Sequence, residues 1–73
     1  MSLQIDLSGP EGNAFALIGK AKLIAKTMGL SNDETEAIIE KMCSDDYNHL
    51  LDTLVSSFPR INFEFENDPR DQP

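Results

Sequence analysis

Close to its C-terminus the chain reads Ile61-Asn62-Phe63-Glu64-Phe65-Glu66. Apolar and polar side chains alternate strictly, the period of a strand with one face buried. A lone strand leaves backbone donors and acceptors unpaired along both edges, so this one requires a partner. The matching pattern stands at the opposite end of the chain, where Leu3, Ile5 and Leu7 alternate with Gln4, Asp6 and Ser8. The two ends of the sequence therefore pair with each other, and what lies between must carry the chain from one strand to the next.

The intervening sequence reads as three helices. Ser8-Gly9-Pro10-Glu11-Gly12 breaks the first strand, since Gly and Pro punctuate regular structure. From about Asn13 to Met28, Ala14, Leu17, Ile18, Ala21, Ile24, Ala25 and Met28 recur at the spacing of one helical face, and Gly29 fits a left-handed cap. Ser31 followed by Glu34 predicts a capping box at the start of a second helix, with Asp33 and Glu34 facing the positive end of its dipole. Ile38, Ile39, Met42 and Cys43 form its apolar stripe. A third helix follows, with Ser44 as expected N-cap and Asp45 and Asp46 in the first turn. Tyr47, Leu50, Leu51, Leu54, Val55 and Phe58 make its apolar face, and Pro59 stops it.

The predicted fold is α/β (α+β) in the order β-α-α-α-β, a two-stranded sheet covered on one face by three helices. A three-helix connection satisfies the long crossover that parallel strands need, which favours parallel pairing. A crosswise middle helix would allow the antiparallel alternative. The expected core is Leu3, Ile5, Leu7, Leu17, Ile18, Ala21, Ile24, Met28, Ile38, Ile39, Met42, Leu50, Leu51, Leu54, Val55, Phe58, Ile61, Phe63 and Phe65. Residues 1–66 are read as one compact domain. Residues 67–73 carry two prolines and no apolar side chain, and are read as a flexible tail.

Size and charge narrow the function. With 73 residues, 13 acidic and 6 basic, size scaling gives a folded surface of about 4,500 Å² against about 11,700 Å² unfolded. The core is small, and a layered enzyme with a deep cofactor pocket does not fit. A formal charge of −7 excludes binding to nucleic acid by phosphate neutralisation and to anionic membranes. One cysteine, Cys43, forms no intramolecular disulfide, and at the end of an apolar stripe it reads as core filling. No stretch resembles a signal peptide or a membrane span, so the expected compartment is the cytoplasm.

The charge is uneven. Residues 1–30 hold two acids against three lysines, whereas residues 31–73 hold eleven acids against Lys41, Arg60 and Arg70. Glu36, Glu40, Asp45, Asp52, Glu64 and Glu66 form a candidate acidic docking surface for a basic protein partner. The plainer reading is solubility and protection of sheet edges. The narrower reading is mimicry of DNA phosphates against a nucleic-acid-binding protein. Helix one carries a band of Gly12, Ala16, Gly19 and Leu23 on the side away from its core stripe, with Phe15 between the two. Either helix one is central and flanked on both sides, or this band is a self-association surface in a homodimer. Pairing through an open sheet edge is the rival.

Three local features are weak as sites. Gly9, Gly12 and Asn13 lie in a strand-to-helix loop, a place where anions bind helix N-termini. The Lys-Ser/Thr of a phosphate loop is absent, Pro10 lacks an N–H and Glu11 repels phosphate. His49 has Asp45 and Asp52 within one helical turn, which reads as a surface histidine with acidic neighbours. One His and one Cys fall short of a structural zinc set, and no nucleophile elbow is present. No catalytic residue, cofactor or metal is expected.

The segment Ile5-Asp6-Leu7-Ser8-Gly9-Pro10-Glu11-Gly12-Asn13-Ala14-Phe15-Ala16-Leu17-Ile18, with the later Asp45-Asp46-Tyr47-Asn48-His49-Leu50-Leu51 and a terminal strand, resembles the short, uncharacterised acidic proteins of bacteriophages, plasmids and bacteria. The resemblance covers most of residues 3–66 and carries no assigned activity or site. It implies a bacterial or phage setting, in which small acidic proteins sometimes inhibit host machinery. The expected role is a small non-enzymatic protein-binding or regulatory module.

Overall fold

A computed structural model describes residues 2–71. Its elements are β1 (Ser2–Asp6), a 3-10 turn (Pro10–Gly12), α1 (Ala14–Thr27), α2 (Asn32–Met42), α3 (Tyr47–Ser57), β2 (Asn62–Glu66) and a second 3-10 turn (Pro69–Asp71). β1 and β2 pair in parallel, with Leu3 opposite Phe63 and Ile5 opposite Phe65. The Leu7 amide extends the ladder by donating to the Glu66 carbonyl at 2.9 Å. Both strands present their apolar set to the helices, because side chains alternate across a strand. Gln4, Asp6, Glu64 and Glu66 face the other way.

Local chemistry fixes the helix ends. The Asn13 side chain accepts from the Ala16 amide at 2.8 Å and opens α1. Gly29, at φ 80°, closes it. Its amide reaches the Lys26 carbonyl at 3.1 Å, and the next amide, of Leu30, reaches Ala25 at 2.9 Å. These two bonds satisfy carbonyls that the helix leaves open, in the Schellman arrangement. The capping box of α2 is formed in both directions, Glu34 amide to Ser31 Oγ at 3.1 Å and Ser31 amide to Glu34 Oε1 at 3.0 Å.

The core is Ile5, Leu17, Ala21, Ala25, Met42, Leu50, Leu51, Leu54 and Phe58, with a partly buried shell that includes Leu3, Ile18, Ile24, Ile38, Ile61, Phe63 and Phe65. Ala25 is fully buried where the expected core omitted it. Its small side chain sits on the inner line of α1, one turn from Ala21.

Several expectations are corrected. Met28 is 44% and Val55 38% exposed, so neither belongs to the core: each stands at the edge of its helical stripe. Cys43 is exposed. It caps α2 one residue beyond the buried Met42, and a 100° step carries its thiol out of the core. Ser44 does not cap α3. Its hydroxyl turns back to the Lys41 carbonyl at 2.8 Å, and Asp46 caps α3 instead by accepting from the His49 amide at 2.9 Å. The expected tail is folded as far as residue 71: Asp68 is only 6% exposed, and the 3-10 turn ends at Asp71. The compact unit therefore runs past residue 66. Residues 72–73 of that expected tail lie outside the described residues.

Candidate interaction surfaces

The strand-to-helix loop is closed by its own contacts. Asp6 Oδ1 accepts from the Ser8 amide at 3.0 Å, the Ser8 hydroxyl at 2.7 Å and Asn67 Nδ2 at 3.0 Å. These bonds hold the Asp6 carboxyl below the usual range, Asn67 contributing most. The Gly9 amide donates to the Asp6 carbonyl and the Gly12 amide to the Gly9 carbonyl. Asn13 spends its side chain on the Ala16 amide and the Pro10 carbonyl. The Tyr47 hydroxyl donates to the Gly12 carbonyl. Gly9, Gly12 and Asn13 thus form a structural joint, and their donors are not turned to a ligand. Burial, followed by the charge of Asp68, pushes the Tyr47 hydroxyl up.

His49 is half-buried, and its ring contacts are made with Lys41, Ser44 and Thr53 rather than with the carboxylates that flank it in sequence. Its Nε2 lies 3.0 Å from the Lys41 carbonyl, 3.2 Å from Ser44 Oγ and 3.4 Å from Thr53 Oγ1. A carbonyl only accepts, so Nε2 carries the hydrogen. The ring ties the end of α2 to α3. Among the described residues no group of three or more His, Cys, Asp or Glu side chains is placed to hold a metal ion.

The six acidic residues expected to form one docking surface are all exposed and are spread over α2, the α2–α3 turn, α3 and β2. Glu64 and Glu66 stand on the outer face of the sheet, and Glu66 accepts from Gln4 Nε2 at 2.8 Å. Asp52, on α3, is paired with Arg70. Asp45 lies in the α2–α3 turn, where it accepts from the Asp46 amide at 2.8 Å. Only Glu36 and Glu40 share a helix face, and the structure adds Asp33 to them. These three are spaced i, i+3, i+7, so they lie within a band about 60° wide on α2. The three residues are exposed, and among the described residues the ion pairs are Lys20–Glu11, Arg70–Asp52 and Arg70–Asp68, so none offsets this stripe. The sequence signal was present in the spacing. Asp33 was absorbed there by its role near the helix dipole.

The C-terminal segment forms a clasp that sequence reading missed. Arg70 Nε donates to both oxygens of Asp68, at 3.0 and 3.1 Å, and a terminal guanidinium nitrogen reaches Asp68 at 2.6 Å. The other terminal nitrogen bonds Asp52 on α3. The guanidinium carbon stands 5.4 Å over the Phe65 ring, within cation–π range. Arg70 holds the Asp68 carboxyl below the usual range, and Asp68 and Asp52 in turn push the guanidinium upward.

The remaining open surface is on α1. Phe15 is 88% and Leu23 65% exposed. From Leu23 a groove of about 520 Å³ runs between α1 and the starts of the strands, lined by Leu3, Leu23, Ile24, Thr27, Met28 and Ile61 and flanked by Lys20 and Arg60. Helix one is therefore not covered on both sides. The expected band divides: Gly12 is buried, and a Cβ there would lie 2.2 Å from the Leu7 carbonyl oxygen, whereas Gly19 faces open space. Gly12 belongs to the joint beneath β1; Ala16, Gly19 and Leu23 remain on the helix.

No protein-family model matches the chain, and no curated protein and no solved structure matches it either. Among the described residues, no helix is long and apolar enough to cross a membrane.

Proposed function

We propose that this protein is a small non-enzymatic protein-binding and regulatory module that docks a basic partner on the outer face of α2. The observation that carries the reading is the stripe of Asp33, Glu36 and Glu40, exposed and without an ion-pairing cation among the described residues. Like charges one turn apart cost an isolated helix about 0.2–0.5 kcal/mol per pair. A basic surface would turn that cost into attraction, speeding association and favouring cationic partners over neutral ones.

The narrower form of the proposal makes the partner a nucleic-acid-binding protein, with the carboxylates standing in for phosphates. Helix geometry spaces them about 4.5 and 6 Å apart along the axis, a regular row of negative charge. A bacterial or phage setting, which the resemblance of residues 5–18 and 45–51 implies, and a cytoplasmic compartment belong to the same proposal. The test is capture from a bacterial lysate by the wild-type chain and by the triple variant Asp33→Lys, Glu36→Lys, Glu40→Lys. The wild type should retain a basic protein that high salt releases and DNA displaces, and the triple variant should not. Equal capture by both chains, or capture indifferent to salt, overturns the proposal. Retention of the basic partner in the presence of DNA overturns only its narrower form.

A further inference from the structure

The sheet ends at β2 with that strand's outer edge unpaired. The register and the bond from the Leu7 amide to the Glu66 carbonyl set the phase of the ladder. Along a strand, residues that bond one neighbour alternate with residues whose amide and carbonyl point the other way. Asn62, Glu64 and Glu66 therefore face β1, and the amides and carbonyls of Phe63 and Phe65 point away from it. Among the described residues β1 is the one strand beside β2, and no backbone group bonds Phe63 or Phe65 on the outer side. The clasp touches Phe65 through its ring rather than its backbone.

The edge of β1 is different. Its Asp6 carbonyl already accepts from the Gly9 amide, and the turn after the strand folds back until Gly12 lies against the Leu7 backbone. Burial separates the strands in the same sense. Ile5 on β1 is fully buried, whereas its partner Phe65 and the neighbouring Phe63 are only half-buried. The two rings stack with centroids 5.8 Å apart, an apolar shelf on the inner side of the unpaired edge.

We infer that β2 accepts a third strand from a basic partner, an extended peptide in which apolar side chains alternate with Lys or Arg. In strand addition the main-chain bonds supply affinity and alternate side chains set the sequence. Every second residue of the peptide falls on the inner face beside Phe63 and Phe65, where an apolar side chain fits. The others fall on the outer face beside Glu64 and Glu66, both exposed and outside the ion pairs found among the described residues. Side chains facing each other on neighbouring strands stand about 4.5–5.5 Å apart, so opposite charges attract there and like charges destabilise. The same rule disfavours a second copy at this edge, since it would set glutamate against glutamate. This surface is separate from the acidic stripe of α2, so the inference does not depend on the docking proposal, and either can fail alone.

Amide hydrogen exchange with the peptide Lys-Val-Lys-Val-Lys-Val-Lys tests it. In the free chain the Phe63 and Phe65 amides should exchange fast and those of Glu64 and Glu66 slowly. Near saturation the peptide should slow the two phenylalanine amides by about tenfold or more. A peptide of the same composition in blocks, Lys-Lys-Val-Val-Val-Lys-Lys, should not. The double variant Glu64→Lys, Glu66→Lys should weaken binding by about tenfold or more, with an unchanged circular dichroism spectrum to show that it folds. The variant Asp33→Asn, Glu36→Gln, Glu40→Gln should keep the protection, which separates this edge from α2. Unchanged exchange at Phe63 and Phe65 in excess peptide overturns the inference. So does equal protection by the block peptide, or full binding by the double variant. Protection that rises with chain concentration alone also overturns it, by making the occupant a second copy.

Discussion

Gly12 and Gly19 are seven residues apart, and the same substitution at each should have opposite effects. At Gly12, a Cβ would lie 2.2 Å from the Leu7 carbonyl oxygen and 2.5 Å from both the Leu7 carbonyl carbon and Cα. These are backbone atoms of the turn leaving β1, and they cannot yield as a flexible side-chain end would. That turn is further fixed by the bond from the Leu7 amide to Glu66 and by the Tyr47 hydroxyl on the Gly12 carbonyl. Gly12→Ala must displace the 3-10 turn, break the Tyr47 bond or both. Overpacking of this kind costs about 1–3 kcal/mol, and loss of the hydrogen bond adds about 1 kcal/mol. At Gly19 the backbone is helical and the added methyl meets nothing, so Gly19→Ala should stabilise by about 0.5–1 kcal/mol. The assay is urea denaturation followed by circular dichroism at one fixed low concentration, with a thermal melt as second readout. For a domain of this size about 1 kcal/mol corresponds to 4–8 °C in Tm, so the two variants should fall on opposite sides of the wild type. A Gly12→Ala chain within about 0.5 kcal/mol of wild type, a shift small enough for an ordinary surface change, would refute the close approach. Equal destabilisation by both variants would refute the exposure of the α1 face.

Removing the clasp should give a pH-dependent loss. Arg70→Ala leaves Asp68 covered and without its charged partner, and should destabilise by roughly 1–2 kcal/mol at neutral pH, discounted for the partial exposure of the pairs. The Asp68 carboxyl is lowered in the folded chain, so its contribution is present above the unfolded value of about 3.9 and is lost as pH falls below it. Wild type and Arg70→Ala should therefore converge in stability in acid, which pH-resolved thermal melts would check. The caps give a second contrast: Asp46→Ala should cost about 1 kcal/mol by freeing the His49 amide at the start of α3. Ser44→Ala should cost less, since its hydroxyl contacts the Lys41 carbonyl and His49 Nε2 but frees no amide of α3. Denaturation midpoints of the two variants decide the order.

What could be read from the sequence was what is local and periodic. The alternation in residues 61–66 and 3–7 placed both strands, and a crossover of three helices favoured parallel pairing over the antiparallel alternative. Ser31 with Glu34, and Gly29 after Met28, marked helix ends that the structure places there. The errors are of another kind. Ser44 and Asp46 are both good N-caps by composition, and the choice depends on where the α2–α3 turn leaves the backbone. Cys43, Met28 and Val55 sit at stripe edges, where one step of helical phase separates core from solvent. The acidic residues were grouped by charge, but their grouping in space depends on which elements share a face. That knowledge requires the packing of α2 against α1 and α3. The α1 groove was invisible because part of its wall, Leu3, Arg60 and Ile61, comes from the two ends of the chain.

The clasp and the loop joint explain how so small a core supports a two-stranded sheet. Nine buried apolar residues among those described, with a single cysteine in the sequence, leave a chain of this length little margin, since short chains bury a smaller fraction of their surface. The polar ties lie where the apolar core gives least. Asn67 to Asp6 joins the ends of the two strands, Tyr47 to Gly12 joins α3 to the turn after β1, and Arg70 to Asp52 joins the C-terminal turn to α3. Each links different elements, and the Asn67–Asp6 bond, which joins the two strand ends, forms only once the crossover has closed. Two of the three end on a carboxylate lowered by its partners or on one bound by Arg70. Protonation should therefore loosen the strand ends and the C-terminal turn before it disturbs Leu17, Leu51 and Leu54. Hydrogen exchange in acid would show that order as early loss of protection at Leu7 with late loss in α1 and α3, and simultaneous loss at all three would contradict it.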